Sequence, residues 1–192
     1  MNMTKSILLV GVGGQGTILA SKLLTIGLME AKYDVKMSEI HGMSQRGGSV
    51  SSQVRYGDKV HSPVIELGGA DVLVSFEQME ALRWLNYLKI DGKVIVNDYR
   101  IKPMPVVSAK ASYSNDICKE LTTRAPTTVI DAASEAIKLG NAKVMNIILM
   151  GATVKLMGLD QINWNEIIAK NVKPSFVDIN IKAFHCGQQL VG

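Results

Sequence analysis

The 192-residue sequence holds two cysteines, Cys118 and Cys186, far apart and without a CxxC pair. That excludes the four-thiolate spacing of an iron–sulfur cluster or a structural zinc. Two lone cysteines read as reduced core thiols. With no cleavable apolar leader behind Lys5, they imply a cytoplasmic address. Aromatic residues make up 5% of the chain and are not interleaved with basic ones, which argues against nucleic-acid binding. No apolar run reaches the ~18 residues that a membrane helix needs. Blocks of like charge are missing too. The Lys and Arg residues are scattered, and the net charge of +4 serves solubility.

What is present is an ordinary globular composition, 47% apolar and 20% charged, in a chain long enough for one well-buried core. Ser6 to Val12 reads as a buried strand, and apolar residues from Ile18 to Met29 then recur at helical spacing, giving a helix from about Gly14 to Ala31. Tyr33 to Glu39 reads as a second strand. "VSSQVRY", Val50 to Tyr56, alternates like a strand, and "YGDKVHSP" reads as a turn with a short return strand. An antiparallel hairpin therefore stands where a βαβ repeat would place a helix. "DVLVSF" and "KVIVND" read as buried strands. Met79, Leu82, Leu85 and Leu88 mark a helix face between them, and Gly92 closes the connection.

"MPVVSA" reads as one more strand after the Pro103–Pro105 break. Helices are expected over Asn115–Arg124, Ala132–Leu139, Ala142–Met157, Asn163–Asn171 and Ile179–Gly187, with a strand at Thr127–Asp131. "AKVMNIILMGATVKLMG" is so apolar all round that it is either central to the domain or faces a partner. Its methionines read as core filler. No repeat or linker interrupts residues 1–192, so a single domain is expected. The fold class is α/β: a Rossmann-like layered fold with a mixed sheet flanked by helices and a helical C-terminal third.

Two glycine-rich stretches carry the functional signal. In "LLVGVGGQGTILASKLL" a strand feeds Gly11, Gly13, Gly14 and Gly16, and a helix follows. Glycines let the backbone turn tightly and approach a phosphate, which the free N–H groups and the helix dipole favour. Gln15 is the one polar side chain of this turn. No GK[ST] follows, so it is not a Walker loop. A dinucleotide site would want an acid after the second strand, and Glu39 lies 23 residues beyond Gly16, yet it leads into a hairpin where a third parallel strand should come. A turn that needs glycine only for helix–sheet packing is the plainer alternative.

The second stretch, Ser38 to Gly57, gathers Glu39, His41, Ser44, Gln45, Arg46, Gly47 and Gly48 between two strands. Such variety at strand ends is the material of a binding site. Arg46 offers a planar fork for carboxylate or phosphate, and His41 can donate, accept or titrate. A solvated loop bonding its own carbonyls is the alternative.

"GVGGQGTILASKLL" followed by "VKMSEIHGMSQRGGSVSSQVRYG" resembles the gamma-type domain of the 2-oxoacid:ferredoxin oxidoreductases, most of all the small subunits of the indolepyruvate type. The likeness continues through "ADVLVSFEQMEALR", "GKVIVND" and "NIILMGA". Members of this family decarboxylate a 2-oxoacid on thiamine diphosphate, pass two electrons through iron–sulfur clusters to ferredoxin and release an acyl-CoA. This chain has neither the cysteine set nor a thiamine signature. The resemblance therefore implies that thiamine diphosphate, magnesium and clusters belong to a large alpha subunit, with which this chain forms a hetero-oligomer. It further implies that the first loop, Gly11, Gly13, Gly14, Gln15 and Gly16, meets a phosphate of coenzyme A. The second, with Glu39, His41, Gln45, Arg46, Gly47 and Gly48, would face the partner's active site. No residue is assigned as a general acid or base, and no metal ligand is expected here.

Overall fold

The computed structural model describes residues 4–42 and 47–191. In chain order these form β1 (Lys5–Val12), α1 (Thr17–Glu30), β2 (Asp34–His41), β3 (Ser49–Gly57), β4 (Ala70–Ser75), α2 (Gln78–Trp84), β5 (Leu88–Asn97), α3 (Met104–Val107), α4 (Ile117–Arg124), β6 (Thr127–Ile130), α5 (Ala132–Lys138), α6 (Met145–Leu156), α7 (Trp164–Asn171) and α8 (Val177–Gln189). The six strands make one sheet in the order β2-β3-β1-β4-β5-β6. β1, β4, β5 and β6 run parallel, whereas β3 is antiparallel to both β1 and β2. The expected mixed α/β sheet is what the chain forms.

Period-two alternation splits the strands' apolar residues between two cores. Ile7, Leu9, Val72, Val74 and Ile95 face the layer of α1 and the C-terminal helices. Leu8, Val10, Leu73, Val94 and Val96 face α2 and α4. α6 is the centre of the first layer: every residue from Asn146 to Val154 is buried, which settles its two sequence readings in favour of the core. Met150 is wholly buried there. α6 and α8 cross closely because both carry glycine at the contact. A Cβ on Gly151 would stand 2.1 Å from the Phe184 carbonyl oxygen, and one on Gly187 only 1.9 Å from that of Ile148.

Four local expectations are corrected. "MPVVSA" forms the short helix α3, because Pro103 at its N-cap and Pro105 within its first turn suit a helix start. The N–H groups of Val106 and Val107 both donate to the Pro103 carbonyl. "YGDKVHSP" makes no return strand. Side chains of the neighbouring strands take up the backbone of this stretch and of the residues just after it: Val60 N–H donates to Asp34, Arg55 to the Ser62 and Val64 carbonyls, and Ile65 N–H to Gln53. The hairpin is instead β2–β3, closed by the polar glycine stretch. The helix of Met79 and Leu82 ends at Trp84, and a 3-10 turn over Leu85–Tyr87 delivers Leu88 into β5. Gly92 lies inside β5 opposite a register shift, where a Cβ would meet Leu88 at 2.7 Å.

Candidate functional site

β1 is flanked by a parallel neighbour on one side and an antiparallel one on the other, so its C-terminal end opens onto a gap in the topology. The first glycine turn sits there. Gly14 at φ 106° and Gly16 at φ 84° are left-handed, a conformation L side chains rarely adopt. Gly16 is also hemmed in: a Cβ would lie 2.6 Å from Asn146 Nδ2, which donates to the Gly16 carbonyl at 3.1 Å. Gly14 differs, since a Cβ there would meet nothing within 4 Å. α1 then begins with no side-chain cap and no acid in its first turn, so its leading N–H groups, which a helix cannot satisfy itself, face the turn.

Two residues expected in this loop build it and do not line the opening. Gln15 accepts from Val12 N–H at 2.7 Å and donates to the Phe76 carbonyl at 2.9 Å, pinning the turn to the end of β4. Gly11 makes room for that side chain, because a Cβ would fall 2.8 Å from Gln15 Oε1 and 2.9 Å from Phe76 Cβ.

Among the described residues, Gly47 and Gly48 tie the second loop to the first through backbone hydrogen bonds. Gly13 N–H donates to the Gly48 carbonyl at 2.8 Å, and Gly47 N–H donates to the Gly13 carbonyl at 3.2 Å. These bonds carry the β1–β3 ladder one step past the Val12–Ser49 pair. Gly13, Gly14, Gly16, Thr17, Ile18, Glu39, His41 and Ser52 thereby border one cavity of about 260 Å³ on the α1 face of the sheet. Glu39 accepts weakly from Ser21 at 3.4 Å, and the His41 ring lies 3.3 Å from the Gly42 carbonyl. Gln45 and Arg46 lie outside the described residues. β3 stands between β1 and β2, which puts Glu39 two strands, roughly 10 Å, from β1. A dinucleotide fold would hold its ribose acid on the adjacent strand.

A second polar cluster, absent from the sequence reading, occupies the other face at the ends of β4 and β5. Glu77 is 1% exposed and Glu80 4%. Glu77 caps α2 by accepting from Glu80 N–H at 2.9 Å, and it also accepts from Ile101 N–H at 3.1 Å and from the Tyr113 hydroxyl. Burial and this bond to Glu77 push the Tyr113 phenol well above its ordinary pKa. Glu80 accepts from Ser49 Oγ at 2.5 Å, Trp84 Nε1 at 3.3 Å and Arg83 Nε at 3.1 Å. Asn97, fully buried, donates to the Phe76 carbonyl and accepts from Ala132 N–H. The sequence held no capping signal for the pair, because Glu77 stands at the N-cap where a capping box has Ser, Thr, Asp or Asn.

Comparison with known proteins decides the family. Residues 6–190 match the family described as pyruvate ferredoxin/flavodoxin oxidoreductase. The chain belongs to that family. Among its relatives is the indolepyruvate oxidoreductase subunit IorB of Pyrococcus horikoshii, 40% identical over 188 residues that cover 95% of this chain and 93% of the relative. The fold is shared with the gamma subunit of a keto/oxoacid ferredoxin oxidoreductase from Geobacter sulfurreducens, at TM-score 0.71 and 24% identity, covering 97% of this chain and 98% of that one. It is shared too with part of the 2-oxoglutarate:ferredoxin oxidoreductase of Magnetococcus marinus, solved with 2-oxoglutarate, coenzyme A and succinyl-CoA bound. There the TM-score is 0.76 at 16% identity, covering 98% of this chain and 31% of that one. The fold thus occurs both as a separate chain and within a longer one.

Proposed function

We propose that this chain is the small subunit of an indolepyruvate-type 2-oxoacid:ferredoxin oxidoreductase, in a cytoplasmic complex that converts a 2-oxoacid and coenzyme A to an acyl-CoA and carbon dioxide while reducing ferredoxin. The observation that carries this reading is the near full-length likeness to the IorB subunit of Pyrococcus horikoshii. The donor set supports the division of labour. Two cysteines cannot ligate a cluster, and no group of three or more His, Cys, Asp or Glu among the described residues could hold a metal. In this reading thiamine diphosphate, its magnesium and the clusters belong on the large partner subunit.

In this reading the cavity of about 260 Å³ takes one phosphate end of coenzyme A. When bound, the coenzyme supplies the thiol that takes up the acyl group. Open space at Gly14 lets an anion approach the backbone, and the uncapped start of α1 presents N–H groups and the positive end of a helix dipole. In this reading the Gly14–Ile18 backbone would hold a phosphate oxygen. Glu39 would accept from a hydroxyl or amide of the same ligand, and the Gly47–Gly48 stem keeps the turn in place.

The test is co-expression with the large subunit, followed by acceptor reduction with indolepyruvate, pyruvate and 2-oxoglutarate, each with and without coenzyme A. Activity that requires both chains and coenzyme A, and prefers indolepyruvate, is expected. Failure to form a complex would reject the subunit reading and favour a free-standing nucleotide-binding or regulatory module. Preference for another oxoacid would reject the indolepyruvate assignment alone.

A further inference from the structure

The buried carboxylate of Glu80 is connected to the glycine loops by a short chain of bonds. Its Oε2 accepts from Ser49 Oγ at 2.5 Å, and Ser49 is the first residue of β3. The residue before it, Gly48, accepts from Gly13 N–H, and Gly13 borders the cavity on the opposite face of the sheet. A carboxylate 4% exposed is costly unless hydrogen-bonded, and here both oxygens are satisfied, by Ser49 and Trp84 on one and Arg83 on the other. The adjoining space of about 180 Å³, bordered by Gly47, Ser49, Glu77 and Arg83, therefore has no unsatisfied acid that calls for a cation. Helix stability alone does not require this burial, since an exposed acid in the first turn serves the dipole equally well.

We infer that Glu80 is a positioning residue: through Ser49 it fixes the stem of the second loop, and through Gly48 and Gly13 the backbone that meets coenzyme A. The inference rests on the coenzyme A reading above. It makes α2, which does not border the coenzyme cavity, a determinant of coenzyme affinity.

The experiment compares Ser49→Ala, Glu80→Gln and the double variant in the assembled complex with the large subunit. Two readouts are needed: KM for coenzyme A in the full reaction, and the first turnover of oxoacid without coenzyme A. Each single variant should raise KM for coenzyme A about tenfold, as expected for loss of a charge-assisted bond, and leave the coenzyme-free turnover unchanged. The double variant should be no worse than either single one, because all three break the same link. Ser49→Thr, which keeps the hydroxyl, should restore KM. Additive effects, or lowered melting temperature with unchanged KM, would overturn the inference. Gly14→Ala separates the two ideas. If it raises KM while Ser49→Ala and Glu80→Gln do not, only the role of Glu80 fails. If none of the three moves KM, the coenzyme A reading fails with it.

Discussion

At the scale of single residues, the groups that set the geometry are seldom those that border the opening. Gln15 spends both ends of its amide on Val12 and Phe76, and Gly11 exists to accommodate it. Gly16 combines a left-handed backbone with contact to Asn146, so Gly16→Ala should cost about 1–3 kcal/mol in unfolding free energy, measurable by denaturant titration. An unchanged midpoint would show that the turn can relax. Asp71 is the corresponding anchor at the opposite end of the sheet. It accepts from Ser6 N–H at 2.8 Å and pairs with Lys89 at 2.8 Å and Lys5 at 3.3 Å. Burial alone would raise its pKa, but Lys89, Ser6 N–H and Lys5 together hold it below the usual carboxylate range. A depressed pKa in the fold means that the stabilisation is present above the unfolded value, near 3.9, and is lost as pH falls through the folded one. Asp71→Asn should therefore destabilise by about 1 kcal/mol at pH 7, and the gap to wild type should close below about pH 4 in urea melts.

At the scale of elements, close packing of helices governs what can change. α6 and α8 touch through Gly151 and Gly187, whose missing side chains let backbone meet backbone. Gly187→Ala should cost about 3 kcal/mol or more, since the methyl would collide with a carbonyl of the facing helix and neither helix can yield alone. Thermal unfolding checks this. A loss no larger than that of an exposed helical alanine substitution would show that the two helices can separate without penalty. Gly27 of α1 has the same part against α7, where a Cβ would lie 2.3 Å from the Trp164 ring. The hairpin β2–β3 is the other decisive element. By entering antiparallel beside β1 it displaces the strand that a dinucleotide fold would put there, and it brings the second loop against the first.

At the scale of the whole molecule, two cores share one sheet, and strands β1, β4 and β5 contribute side chains to both. Unfolding of either layer exposes the other face of the same strands. The isolated chain should therefore melt in a single calorimetric transition whose van't Hoff and calorimetric enthalpies agree. Two separate transitions would instead identify two independently folding units.

The sequence by itself determined the α/β class, the mixed sheet, the strand–glycine–helix turn and the family, because these are written in local periodicity, in glycine placement and in a motif pair spanning both loops. Only the tertiary structure decided that Gln15 and Gly11 support the turn from within, that Gly13 pairs with Gly47 and Gly48, and that Glu77 and Glu80 are buried at the start of α2. A side chain's partner and its burial depend on which distant strands become neighbours, and strand order is set by the packing of whole elements. Local pattern also misjudged "MPVVSA" and the segment after β3. There, proline chemistry and hydrogen bonds from side chains 7 to 26 residues away outweighed β propensity.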